Sequence, residues 1–152
     1  MITPCPKPIK KKKDKPKWTK KACDSDLSKM IDRCDTLCRS IVKMRAGYKC
    51  EAIDANGVRC NKAPVSHHHI VKRTKSLITR ILSRNGIALC DLCHDHTNEA
   101  EMDFKITNAI GEDVWDVLHI KAQTTFGDYG VSKQEYVEIQ FEVLKKEFKA
   151  LT

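Results

Sequence analysis

Four cysteines stand in two pairs whose spacing suits a metal site. Cys90 and Cys93 form a C-x-x-C motif, whose short loop can aim two thiolates at one ion. Nine residues lie between Cys50 and Cys60, and a hairpin folded on Asn56–Gly57 would place the two cysteines opposite each other. Four thiolates that meet in this way form a closed tetrahedral zinc site, which is structural rather than catalytic. The alternative is that these cysteines are buried thiols without a metal.

Histidines lie between and beside these cysteine pairs. His67–His69 precede the C-x-x-C motif, and His94 follows it directly. If zinc ties the hairpin to the helix that begins near Asp91, a strand histidine should face His94, with Asn98 one turn further along the same helix face. Two or three such ligands with open positions suit a divalent ion that polarises a phosphate. A neighbouring imidazole that does not bind the ion can act as a general base.

The three adjacent histidines cannot all have the same role. Successive strand residues point to opposite faces, so His67 and His69 share a face that His68 does not. On an ideal strand this argues against His68 and His69 acting together as ligand and base, and a register slip of one residue would make His68 the base instead. His67 is expected at the surface or against a phosphate. His119, in a helical segment, is expected to be a packed histidine.

The distribution of charge points to an anionic partner. The chain carries a formal net charge of +8, and residues 1–21 alone hold nine lysines and one aspartate. Residues 22–98 are mildly basic, whereas residues 99–152 carry 11 acidic and 6 basic side chains. Phosphate contacts are expected from a basic run with no acidic residue among its members: Lys72, Arg73, Lys75, Arg80 and Arg84. DNA is the expected partner.

Periodicity and turn signals predict an α+β fold in four segments. Residues 1–21 combine Pro and Lys and are expected to be a disordered basic arm, which either solubilises or localises the chain or contacts DNA. Residues 22–47 show helical spacing, 48–100 should form the metal-bound finger, and 101–152 should be helical. In the last segment Ser132 followed by Glu135 is a capping box.

The cysteine content also bears on the compartment. No stretch is apolar enough to span a membrane, and the N-terminus has no apolar signal core. Eight cysteines in such a chain are expected to be thiols in a reducing cytoplasm. Cys34 and Cys38 could join Cys5 and Cys23 in a second zinc site, but their helical spacing favours a place in the core.

One stretch resembles a known nuclease motif. HHHIVKR followed by RNGIALCDLCH is similar to the HNH, or ββα-metal, finger, with a treble-clef-like arrangement over residues 48–98. The resemblance implies that His69 is the general base and that Asn85 braces the loop holding it. It implies that His68 and His94 bind a catalytic Mg²⁺ or Mn²⁺, with Asn98 as a further ligand. The cysteines take the structural zinc positions.

A broader resemblance covers residues 25–151. The segments LSKMIDRCDTLCRSIVKMRAGYKC, TRILSRNGIALCDLC and the C-terminal helical stretch are similar to phage recombination nucleases of the NinG/Rap type. This implies cleavage of branched DNA such as Holliday junctions, in the cytoplasm of a bacterial host. A junction has two symmetric cut sites, so a homodimer through the acidic helical tail is expected. The alternatives are a nicking or restriction-type HNH enzyme on linear duplex, and a non-catalytic zinc-finger DNA-binding protein.

Overall fold

Within residues 20–152 the protein has a mixed α+β fold with six helices and one two-stranded antiparallel sheet, called the hairpin below. The computed structural model describes residues 20–152, so the predicted basic arm lies outside it except at its last two residues. Two 3-10 turns, Ser83–Asn85 and Gly127–Tyr129, complete the elements. The helices and strands in chain order are α1 Lys20–Arg45, β1 Val65–His69, α2 Leu77–Arg80, β2 Gly86–Cys90, α3 Asp91–His94, α4 Glu99–Ile110, α5 Glu112–Lys121 and α6 Lys133–Leu151. Over the described range no helix is long and apolar enough to cross a membrane.

The first helix is amphipathic and belongs to two hydrophobic clusters. It ends two residues before the predicted boundary, at a turn in which Gly47 has a φ of 61°. Cys34 and Cys38 are fully buried on its apolar face, as expected of core thiols. Burial raises the pKa of Cys34 to about 11 and that of Cys38 to about 12, so both remain protonated at neutral pH. The side chains of Cys5 and Cys23 lie outside the described part of the chain.

The two clusters divide the molecule into a cysteine-rich side and a helical side. The first packs the hairpin and the cysteines against α4 and α5, through Ile106 and Leu118. The second packs α1 against α2 and α6. The predicted capping box sets the start of α6: Glu135 N–H donates to Ser132 Oγ at 3.2 Å, and Ser132 N–H donates to Glu135 Oε2 at 2.8 Å.

The two strands pair antiparallel and carry the histidines. Val65 pairs with Cys90 at one end, and His69 pairs with Gly86 at the other. All five residues of β2 are buried, consistent with the apolar GIALC sequence. A Cβ on Gly86 would lie 2.4 Å from His67 Nε2 and 2.5 Å from a methyl of Val42. Only glycine at this position therefore allows the His67 ring to lie between β2 and α1.

The segment that carries the first cysteine pair differs from the predicted hairpin of two strands. Over residues 50–62 the two arms are joined by backbone hydrogen bonds, such as Cys60 N–H to the Ala52 carbonyl at 2.9 Å, but only one bridge, Ile53 with Arg59, has strand geometry. Asp54 Oδ1 accepts two backbone N–H groups of the following turn, both at 2.9 Å, and Gly57 has a φ of 75°. Side-chain hydrogen bonds to the backbone compete with strand pairing. The turn is therefore as predicted, but the two arms that it joins do not form two regular strands.

The helix predicted from Asp91 is interrupted. The structure has a single turn, α3, which ends at His94, and a separate helix, α4, which begins after Asn98. Asn98 Oδ1 accepts the N–H of Glu101 at 2.9 Å, so this side chain caps α4. The expectation that Asn98 lies one turn beyond His94 on a common helix face is therefore wrong. A short amide that bonds the backbone starts a new helix instead of extending the first.

Candidate functional site

The four predicted cysteines converge on one point. All four Sγ atoms lie within 4.8 Å of one another, and Cys60 Sγ is 3.7 Å from Cys90 Sγ. A zinc ion with Zn–S bonds of about 2.3 Å in a tetrahedron separates its sulfurs by roughly 3.8 Å. The cluster therefore fits a tetrahedral ion of the zinc type. Between residues 20 and 152 no other group of three or more His, Cys, Asp or Glu side chains is this close.

The environments of three of the cysteines change their ionisation in opposite directions. Burial raises the pKa of Cys50 and of Cys93. Burial also opposes ionisation of Cys90, where β2 meets α3, but hydrogen bonds from the Cys93 backbone and from the neighbouring thiols outweigh it and lower its pKa. The thiolate is the form that binds a metal. A metal bound at this cluster would therefore have to displace the protons of Cys50 and Cys93, whereas Cys90 ionises more readily.

His68 and His94 meet on one face of the hairpin. Their ring centroids are 5.0 Å apart, and the rings are nearly perpendicular at 78°. His94 Nδ1 is hydrogen-bonded to the carboxylate of Asp95, which places the Nδ1 proton on that side and leaves the Nε2 lone pair for a metal. Two imidazoles would occupy two positions on an ion. The remaining positions would be open to water and to a phosphate oxygen.

The imidazole nitrogens of His68 and His94 favour some metal ions over others. Imidazole suits first-row transition ions better than it suits Mg²⁺, which prefers oxygen ligands. Affinity in such a set rises from Mn²⁺ toward the later ions of the row. Mn²⁺ therefore fits the pair better than Mg²⁺ does. Asn98, engaged at the α4 cap, brings no carboxylate that would reverse this preference.

His67 and His69 lie on the opposite face of β1, against α1. Their ring centroids are 4.4 Å apart, and the Nε2 atoms of both are buried without a hydrogen-bond partner in the described residues. The expectation that His67 is a surface residue is wrong, because the ring packs on Gly86. Burial, followed by the charge of neighbouring groups, lowers the pKa of His67 to about 3. Burial also lowers the pKa of His69, which keeps that imidazole neutral and able to accept a proton.

Acid is expected to destabilise the protein through the protonation of His67. In the unfolded chain this group takes up a proton near its ordinary pKa of 6.5, whereas the folded chain holds it neutral down to about 3. Between these values the unfolded state binds more protons, so stability falls as the pH drops through this window. Thermal melts between about pH 7.5 and 4.5 should show a slope that His67→Gln reduces. An equal slope in both proteins would contradict this role of His67.

Asn85 holds the loop that follows the histidines. Its side chain is fully buried, with Oδ1 accepting from Val71 N–H at 2.8 Å and Nδ2 donating to the Val71 carbonyl at 3.0 Å. The Asn85 carbonyl also accepts the N–H of Ile70 at 2.8 Å. The residues directly after β1 are thus fixed from both sides. Asn85 therefore braces the loop that follows β1, as predicted.

Replacing Asn85 with alanine is expected to lower the unfolding free energy by about 2–4 kcal/mol, because two buried backbone groups of Val71 lose their partners. Urea unfolding measures this change. Ser132→Ala, which removes an exposed helix cap worth roughly 1 kcal/mol, is the matched control. An Asn85→Ala effect no larger than the control effect would exclude the bracing role.

The predicted DNA contacts divide into engaged and free side chains. Arg80 is half-buried and forms an ion pair with Asp35 of α1, with Nε 3.1 Å from Oδ2. Lys72 Nζ lies 2.8 Å from Glu99 Oε1 at the surface. The expectation that Arg80 is available to a phosphate is therefore wrong, and Lys72 would first have to leave Glu99. Lys75 is exposed and outside any ion pair of the described chain, and so are Arg73 and Arg84.

A cleft opens where β1 ends. It encloses about 130 Å³, and its two walls come from different parts of the fold. The hairpin wall carries His68, His69 and two lysines. The opposite wall comes from α4 and α5 and includes Asp103, Trp115 and His119. The cleft thus joins the end of β1 to the C-terminal helices.

Comparisons of this chain with protein-family models, with curated proteins and with solved structures find no match. The function is therefore inferred from the chemistry of the site.

The helical wall of the cleft contains residues that the sequence did not assign to the functional site. His119 packs on Trp115, with ring centroids 4.6 Å apart, in agreement with its prediction as a packed helix histidine. It also lines the cleft, which periodicity within α5 cannot indicate. Asp103 lies on α4 and reaches the cleft only because α4 and α5 pack across the hairpin. No short-range signal in the sequence identifies either residue.

Proposed function

We propose that the protein is a metal-dependent DNA endonuclease of the HNH type. The observation that carries the proposal is the meeting of His68 and His94 beside a four-cysteine cluster, at a cleft that His69 also lines. A closed cysteine site already accounts for one structural ion, here assigned as zinc. The separate imidazole pair is superfluous in a binding module, but it suits an ion that must keep open positions for a substrate.

The residues of the cleft can be assigned roles in hydrolysis of a phosphodiester. The ion held by His68 and His94 would polarise the phosphate and stabilise the charge that develops on its oxygens. His69 lines the cleft and is kept neutral by burial, so we assign it as the general base; its Nε2 is buried, so water must reach the ring before the proton is transferred. Arg73 and Lys75 are the nearest free cations after the strand, and they position the backbone of the DNA.

Branched DNA such as a Holliday junction is the proposed substrate. The support is the resemblance to junction nucleases, together with a basic stretch in residues 1–21 that adds phosphate contacts. Two symmetric cuts require two active sites, and the C-terminal helices are the proposed interface of a homodimer. Light scattering of the protein on junction DNA measures this directly. A single chain per junction would exclude the dimer.

A second candidate is a zinc-stabilised DNA-binding module without catalysis. It is favoured by one observation: the ring of His69 lies with His67 against α1, on the opposite strand face from His68 and His94. Packing on α1 is enough to explain the position of this ring, without a catalytic role for His69. In this case the protein would bind DNA with the same cations and leave it intact.

A cleavage assay separates these functions. Wild-type protein is incubated with four-way-junction and matched linear DNA in Mg²⁺, in Mn²⁺ or after brief EDTA treatment, and the zinc content is measured in parallel. Metal-dependent cutting of the junction alone supports the proposed substrate, and Mn²⁺ should act at lower concentration than Mg²⁺. Equal cutting of linear DNA would indicate a general duplex nuclease. Binding without cutting would indicate the module.

The variant for this assay is His68→Ala, which should abolish cutting because one of two ligands is lost. His96→Ala is the matched control. It removes an exposed histidine of the same finger, whose Nε2 lies 3.9 Å from an oxygen of Asp91. Equal activity of the two variants would contradict the metal-binding role of His68.

A further inference from the structure

Hydrolysis of a phosphodiester needs two proton transfers on opposite sides of the phosphorus. The attacking and leaving oxygens are roughly in line, so a base that activates water on one side cannot reach the leaving oxygen on the other. His69 stands on the hairpin wall of the cleft. A side chain that protonates the leaving oxygen should therefore stand on the helical wall.

His119 is the titratable side chain of that wall whose proton position is fixed by the fold. Its Nδ1 lies 2.8 Å from the carbonyl oxygen of Trp115, which accepts a hydrogen bond only if Nδ1 carries the proton. The Trp115 ring packs on the imidazole at an interplanar angle of 32° and restrains its orientation. Nε2 makes no hydrogen bond to any described residue and is the nitrogen left for the cleft.

We propose, on the basis of the nuclease function proposed for this cleft, that His119 is the general acid of the reaction and donates its Nε2 proton to the leaving 3′ oxygen. Nothing in the HNH-like segment supplies this group. It comes from α5, outside residues 48–98. The C-terminal helices would then be part of the active site as well as a support for the finger.

The step balances in protons and bonds. The base assigned to His69 takes one proton from water as the new P–O bond forms, and His119 gives one proton to the 3′ oxygen as the old P–O bond breaks. The products are a 5′-phosphate and a 3′-hydroxyl. Afterwards His69 carries the extra proton and His119 lacks one, and exchange with solvent restores both.

Asp103 is placed to help as a positioning residue. It lines the same wall of the cleft, one helix away from His119. Burial and the charge of Glu99 raise the pKa of this carboxyl, whereas the imidazole of His119 acts to lower it. Asp103 thus adds a carboxyl to the same wall of the cleft as His119.

A substrate with a better leaving group tests this assignment. The cut site is first mapped with wild-type protein, and the 3′-bridging oxygen there is then replaced by sulfur, which leaves as a thiolate without needing a proton. His119→Asn keeps a donor for the Trp115 carbonyl and removes the acid. It should cut ordinary DNA about 10²–10⁴-fold more slowly and the sulfur substrate less than about tenfold more slowly.

His69→Ala is the control, since a missing base should slow cleavage of both substrates. Equal loss on both substrates in His119→Asn, with an unchanged thermal melt, would overturn the general acid and leave His119 as a structural residue. No loss on either substrate would overturn it as well. If wild-type protein cuts neither substrate, the proposed nuclease function itself fails, and the role of His119 fails with it.

Discussion

Cys93→Ser is expected to remove the bound metal and to unfold the cysteine-rich half of the protein. Structural zinc in small domains contributes about 10–16 kcal/mol of apparent binding free energy, which is also folding free energy. The sheet beside it has only two strands of five residues, and such a hairpin has little stability alone. Three of the four cysteines also belong to the first hydrophobic cluster. Loss of the ion therefore removes the main constraint on residues 50–93.

Metal content and thermal unfolding measure this effect. Wild-type protein should carry one zinc per chain by elemental analysis, and Cys93→Ser should carry none and melt far lower. Cys34→Ala is the matched control, because it removes a thiol that is also buried but lies in the second cluster. It should retain the zinc and lose about 1–2 kcal/mol. If Cys93→Ser and Cys34→Ala have the same melting temperature, the cysteine cluster holds no structural metal.

His69→Ala is expected to slow DNA cleavage by about 10²–10⁴-fold, the usual contribution of a positioned general base. Its effect on stability should be small by comparison. The wild-type ring holds a buried Nε2 atom with no partner in the described chain, and such an atom is itself a cost to the folded state. The loss of packing and the removal of the unpaired atom therefore offset each other. The variant should melt close to wild type while its single-turnover rate falls.

The neighbouring histidine provides the control. His67 also has a buried, unpartnered Nε2 within the described chain, but it packs on Gly86 and does not line the cleft. His67→Gln should therefore keep its rate within about tenfold of wild type. If His67→Gln loses the larger share of activity, the base is His67. If neither His69→Ala nor His67→Gln cleaves DNA more slowly than wild type, the histidines on the α1 side of β1 contribute to packing and not to catalysis.

Local patterns in the sequence predicted much of the fold. The C-x-x-C spacing led to the cysteine cluster, and the Ser132–Glu135 pattern to the start of α6. Each of these signals acts over a few residues. Local interactions decide such features, and so they can be read from the chain without knowledge of the fold.

The features that were missed depend on contacts between distant elements. Arg80 is engaged because Asp35, 45 residues away, faces it from α1. His119 reaches the cleft because α5 packs across the hairpin. Asn98 is a partial exception, since its capping preference is local, but it competed with a longer helical interpretation of the same stretch. Short stretches of sequence do not indicate which side chains are buried by distant elements or which distant residues they contact.

The division of α1 between two clusters has a consequence for how the chain is made. Its apolar face packs on α6, yet roughly 90 residues separate the end of α1 from the start of α6. At a synthesis rate of about 5–20 residues per second, that face waits some seconds for its partner. Contacts of such long sequence separation also form slowly. Until α6 emerges from the ribosome, the apolar face of α1 in the nascent chain is therefore exposed and accessible to chaperones.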